Sequence, residues 1–128
     1  MARPASRALT ERELEVMHAF WAHGEMTAQD ARDRLASSGT DRAYTTVATL
    51  VRILHEKGFL RPTNAERPFR YLPARSYEDV SSCLLGDMID RVFYGSRSQL
   101  LVRLLENHHL TPRERKLLES ILEEPSRD

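Results

Sequence analysis

The chain has one cysteine, Cys83, so it can form no intramolecular disulfide and supply no thiolate metal cluster, and nothing in it calls for an oxidising compartment. No apolar run approaches the roughly 18 residues of a membrane span, and no apolar segment stands behind the basic residues near the N-terminus to direct secretion. A cytoplasmic protein with no membrane insertion is expected. Net charge is lacking as well. The 19 Lys and Arg are balanced by 19 Asp and Glu, which excludes a protein that coats nucleic acid by bulk charge. Catalytic patterns are also missing: the sequence has no H-E-x-x-H, no paired C-x-x-C, no G-x-S-x-G and no glycine-rich phosphate loop. His108 and His109 are adjacent, and adjacent side chains diverge on a helix or strand, so they read as exposed loop residues rather than a metal pair. His18, His23 and His55 are isolated, Cys83 reads as a small packed hydrophobe, and Trp21 reads as core. An enzyme, a cofactor and a metal are therefore not expected.

What remains is a foldable chain of 128 residues, 41% hydrophobic and 30% charged. Residues 1–8 lack any period and read as a loose tail. Thr10 and Glu13 form a capping box for a helix over 11–23, with Leu14, Met17, Phe20 and Trp21 at helical spacing and Gly24 as the stop. Thr27 and Asp30 repeat the pattern for a helix over 28–37, while residues 26–27 are too short to assign. A third helix runs from Ala43 to Lys57 and stops at Gly58. At about 100° per residue, Ala43, Val47, Leu50, Val51 and Leu54 share one side, and Thr45, Ala48, Thr49, Arg52 and Glu56 lie opposite. Residues 59–63 and 68–72 suit an antiparallel hairpin, confined to a sheet edge by Pro62 and Pro68, and Pro73 closes this first unit.

Helical spacing returns at Ser76 and continues to near Gly95 through Val80, Leu84, Met88 and Val92. A further helix begins at Ser96, carrying Leu100, Leu101, Leu104 and Leu105, and a last one at Thr111 and Pro112, carrying Leu117, Leu118, Ile121 and Leu122. About 50 residues would struggle to bury such broad apolar faces alone, so a homodimer is expected through Leu84, Met88, Leu100, Leu101, Leu104, Leu105, Leu117, Leu118 and Ile121. The alternative is that these helices fold back on the N-terminal unit.

Charge is unevenly shared. Residues 1–75 carry a net +3 and residues 76–128 a net −3, and within 42–75 seven basic residues face only Glu56 and Glu66. Three helices, the third with a polar outer side, followed by a basic hairpin, are the order of a winged helix-turn-helix. The fold class is thus mainly α with a small β-hairpin. It comprises a winged-helix DNA-binding domain over 9–75 and a helical dimerisation domain over 76–128. The third helix would enter the major groove of double-stranded DNA with Arg42, Tyr44, Thr45, Thr46, Ala48, Thr49 and Arg52. Hydroxyls there meet base edges, methyls meet thymine and an arginine takes guanine. Arg61, Arg67 and Arg70 of the hairpin would lie along the flanking backbone. Three threonines in five helical positions have poor propensity and call for such an offsetting role.

The segments Leu9-Thr10-Glu11 through Trp21, Ala43-Tyr44-Thr45-Thr46-Val47-Ala48-Thr49-Leu50, Glu56-Lys57-Gly58 and Arg70-Tyr71-Leu72-Pro73 resemble the penicillinase-repressor (BlaI/MecI) family of transcriptional regulators. The similarity continues through Phe93, Gly95, Ser96, Leu100 and the Leu117-Leu118 helix. It implies a homodimeric repressor on a near-palindromic operator, with Thr45, Thr46 and Thr49 facing the DNA and Arg42 and Arg52 beside them. It further implies a membrane-anchored sensor protease as a partner. In beta-lactam-responsive members such a protease cuts an Asn-Phe bond, where this chain reads Arg103-Leu104. Copper-responsive members carry a C-terminal cysteine cluster, which is missing here and argues against metal-thiolate sensing. Release by proteolysis or another signal on the C-terminal domain is the expectation. The rival readings are a winged-helix protein-interaction adaptor and a small-ligand-sensing repressor.

Overall fold

A computed structural model describes residues 9–107 and 109–123; the expected tail over residues 1–8 and the reading of His108 lie outside the described residues. The elements run α1 (Glu11–His23), β1 (Met26–Thr27), α2 (Ala28–Ser37), α3 (Tyr44–Glu56), β2 (Leu60–Pro62), β3 (Arg70–Pro73), α4 (Tyr77–Val92), α5 (Arg97–Asn107) and α6 (Pro112–Glu123). They group into two compact units that divide between Asp87 and Met88.

Local chemistry explains where the first helices start and stop. The Thr10 hydroxyl accepts from the Glu13 amide at 3.2 Å while the Glu13 carboxylate accepts from the Thr10 amide at 2.9 Å. Thr27 and Asp30 make the same reciprocal pair at 3.0 and 3.1 Å. Gly24, at φ 83°, ends α1 by turning its amide back to the Phe20 carbonyl. Gly58, at φ 89°, follows α3 and lets the chain reverse into β2. These helices converge on one core: Met17, Phe20, Val47 and Leu54 are fully enclosed, with Val16, Ala31, Leu35, Val51, Phe59 and Leu60 around them. Truncating a side chain such as Phe20 to alanine would cost about 3–5 kcal/mol.

The sheet has three strands in the order β1-β3-β2, both pairings antiparallel. Tyr71 stands opposite Met26 on one side and Pro62 on the other. The hairpin therefore leans on a two-residue strand that periodicity could not reveal. Pro62 does sit in the edge strand β2, but Pro68 falls in the connecting loop, because β3 begins only at Arg70. Ala43 is the exposed residue before α3 rather than part of its packing side.

The first unit extends past the division expected at Arg75 and Ser76. The Ser76 hydroxyl caps α4 at the Asp79 amide, 3.0 Å away, and Val80 and Leu84 then pack on the core just described. Leu84, expected at a dimer interface, is thus partly buried within this unit. Cys83 is exposed rather than packed, being about 100° round α4 from Leu84. Trp21 is half-buried; its indole donates to the Arg75 carbonyl at 2.9 Å and its ring meets Tyr77 edge-on, tying α1 to the start of α4.

In the second unit α4 ends at Val92, three residues before the glycine expected to stop it. The Gly95 amide turns back to the Ile89 carbonyl at 2.9 Å and closes the helix early. Helix α6 opens on a capping box between Thr111 and Glu114, and Pro112 takes its first position, where a backbone N–H would have no intrahelical partner.

Candidate nucleic-acid interface

Helix α3 buries Val47, Val51 and Leu54 and turns Tyr44, Thr45, Thr49 and Arg52 outward, with Thr46 and Ala48 half-buried beside them. The inward branched side chains hold the helix, so the outward residues are placed by packing they do not themselves provide. Two depressions flank them. A groove of about 590 Å³ separates α3 from the hairpin, walled by Tyr44, Ala48, Arg52 and His55 on one side and by Arg67 and Phe69 on the other. A cleft of about 550 Å³ lies towards the start of α1, where Thr45, Thr46 and Thr49 meet Thr10, Arg12 and Glu13.

The hairpin loop is braced by one side chain. Asn64 donates to the Glu66 and Pro68 carbonyls at 3.1 and 3.2 Å and accepts from the Arg70 amide at 2.8 Å. The Arg67 guanidinium sits over the Phe69 ring, 5.6 Å from its centre. At its base, Glu25 accepts from the Thr63 hydroxyl at 2.8 Å and from Arg70 Nε at 2.9 Å. Those two contacts, the Thr63 hydroxyl foremost, hold the Glu25 carboxyl below the usual carboxylate value.

Local charge overstates the basic character of this surface. Arg42 grips Glu15 through Nε and Nη2, one edge of its guanidinium, the shortest contact being 2.9 Å, and that bond holds its pKa above the ordinary value. Lys57 meets the buried Glu13 carboxylate at 2.9 Å. Arg70 meets Glu25 at 2.9 Å, Arg75 meets Asp79 at 2.8 Å, and Arg52 meets Glu56 at 3.2 Å. Three of those acids belong to α1 or the turn after it, too far along the chain for a window over 42–75 to include. Arg61 and Arg67 make no ion pair among the described residues. Arg42 joins α3 to α1 from the loop ahead of it, whereas Tyr44, Ala48, Arg52 and Arg67 share one groove. Arg12, which periodicity and local charge passed over, shares the other hollow with the threonines.

Among the residues expected to pair two copies, Met88, Leu101, Leu104, Leu105, Leu117, Leu118 and Ile121 are exposed and Leu100 is half-buried. Leu85, Val92, Val102 and Leu122 extend the same apolar character, and none of the described residues of α6 is buried. Among the described residues no group of three or more His, Cys, Asp and Glu could hold a metal, and no helix is long and apolar enough to cross a membrane. His109 is exposed, as are His18, His23 and His55. His18 lies beside the Trp21 ring and His55 beside that of Tyr71.

The profile of the family described as penicillinase repressor matches residues 9–124. The penicillinase repressor of Bacillus licheniformis is 28% identical over 116 residues, spanning 91% of this chain and 90% of that protein. Among solved structures, the hsRosR-S4 complex superposes with a TM-score of 0.55 at 14% identity, covering 95% of this chain and 93% of the other. The hsRosR-SG complex gives 0.51 at 12%, covering 91% of each. These structures carry the winged-helix fold.

Proposed function

Because the chain belongs to the penicillinase-repressor family and has the fold of winged-helix regulators, it is a DNA-binding transcriptional repressor, and we propose that it acts as a homodimer on a near-palindromic operator. The observation that carries the reading is the outward row Tyr44, Thr45, Thr49 and Arg52 on a helix whose opposite side is locked in a core, with a braced basic hairpin across the groove. Short hydroxylated side chains let the helix approach base edges closely, Ala48 and the threonine methyls suit thymine, and Arg52 suits guanine. Arg61 and Arg67 meet the flanking phosphates, while Arg70, bound to Glu25, reaches them only by sharing its guanidinium with that carboxylate.

The apolar residues of α5 and α6, together with the end of α4, join two copies. Two recognition helices then meet half-sites one helical turn apart or a multiple of it. Linking two modest contacts makes occupancy depend steeply on pairing, so anything that separates the protomers releases the promoter. Proteolysis within the C-terminal unit, at Arg103-Leu104 in α5 or elsewhere, is one such signal, and a membrane-anchored sensor protease is its source in this reading. Selection from a random duplex pool tests the proposal. A two-fold-related consensus bound by a dimer is expected; no enrichment at low ionic strength would overturn it, and an asymmetric site bound by a monomer would overturn the dimer.

A further inference from the structure

We propose that Arg12 is a phosphate-binding residue, gripping the duplex backbone on the side of α3 away from the hairpin. The inference rests on the reading of α3 as the duplex-facing helix and adds a contact outside both the helix and the hairpin. Arg12 is exposed in the first turn of α1 and lines the cleft that also holds Thr45, Thr46 and Thr49. Two of the three acids near it are matched elsewhere: Glu13, in the same cleft, by Lys57 at 2.9 Å, and Glu15, one turn on, by Arg42 at 2.9 Å, which leaves Glu11 beside it, exposed and outside the cleft lining. Arg12 itself makes no ion pair among the described residues. The hydroxyl row of α3 is therefore bordered on each side by a cation without an ion pair among the described residues, Arg67 across the groove and Arg12 across the cleft. A helix seated in a major groove has a phosphate backbone along both flanks, which is where two such cations are of use.

The test is a titration of the full chain with a selected operator duplex and a scrambled one, each at 50 and 200 mM salt, for wild type, Arg12→Gln, Arg12→Ala and Arg12→Lys. Loss of one phosphate contact lowers the salt slope by about 0.9, so the advantage of wild type over either neutral variant should be about 3.5-fold larger at the lower salt than at the higher. The deficit should be equal on both duplexes, and Arg12→Lys should keep the wild-type slope. Arg34→Gln is the control. Arg34 is exposed without an ion pair among the described residues, but it lines a different hollow, with Asp30 and Asp33, and its slope should not change. Wild-type binding with unchanged slopes in both neutral variants, or a deficit confined to the operator, overturns this inference alone. Failure of wild type to bind either duplex overturns the reading of α3 and this inference with it.

Discussion

Replacing Arg52 by alanine separates recognition from folding more cleanly than any other change on α3. Its bridge to Glu56 spans 3.2 Å between side chains that are 60% and 61% exposed, one helical turn apart. Such a pair is worth about 0.3–0.5 kcal/mol, so the guanidinium leaves it at little cost. A bidentate contact with guanine contributes about 1–3 kcal/mol of discrimination, several times the bridge it replaces. The variant should therefore unfold in urea within about 0.5 kcal/mol of wild type. Its affinity for the selected operator should fall by about 5- to 150-fold at fixed salt. The loss should be largest for duplexes that retain the guanine, and it should shrink when that base pair is exchanged. Anisotropy titrations on both duplexes, with a denaturation curve beside them, make the measurement. Unchanged operator affinity would refute the base contact, and a stability loss above 1 kcal/mol would show that Arg52 supports the fold instead.

Other residues give distinct expectations. Lys57→Ala leaves the enclosed Glu13 carboxylate with only the Thr10 amide, and should cost about 2–3 kcal/mol in urea denaturation; Glu13→Gln, which keeps the cap, should cost less. A glutamate at Leu104 or Leu118 should convert dimers to monomers by light scattering, because a charge is stranded among apolar side chains; a dimeric mass for both variants would count against that interface. Glu25 has its pKa lowered in the fold, so its anchoring of the hairpin is fully present above the ordinary value of 4.5 and fades as pH falls through the lower folded value. An NMR titration of its carboxyl carbon should give a midpoint below 4.5, and Thr63→Ala, which removes the principal cause, should raise it.

The order of elements was legible because each signal was local. Threonine followed three residues later by an acid marked the starts of α1 and α2, and apolar residues at helical steps ended by glycine marked α1 and α3. What escaped depended on distance along the chain. Strand β1 is two residues long and exists only because Tyr71 and Arg70 come to lie opposite it. Partners of Arg42, Lys57 and Arg70 sit 27 to 45 residues away, so a window of charge counted cations that the fold had already matched. Helix α4 reads as one apolar stripe, yet Val80 and Leu84 serve the first core while Met88 remains exposed, and no period distinguishes the two halves. Arg12 lay hidden because it stands among Glu11, Glu13 and Glu15, and only folding occupies the last two elsewhere.

Amide chemical shifts of the labelled protein, followed as a selected duplex is added, show which surface meets DNA. The largest changes should fall on residues 44–52 and on the hairpin loop over 63–70, reaching Arg12 across the cleft. Changes confined to α5 and α6, with those segments undisturbed, would contradict that expectation.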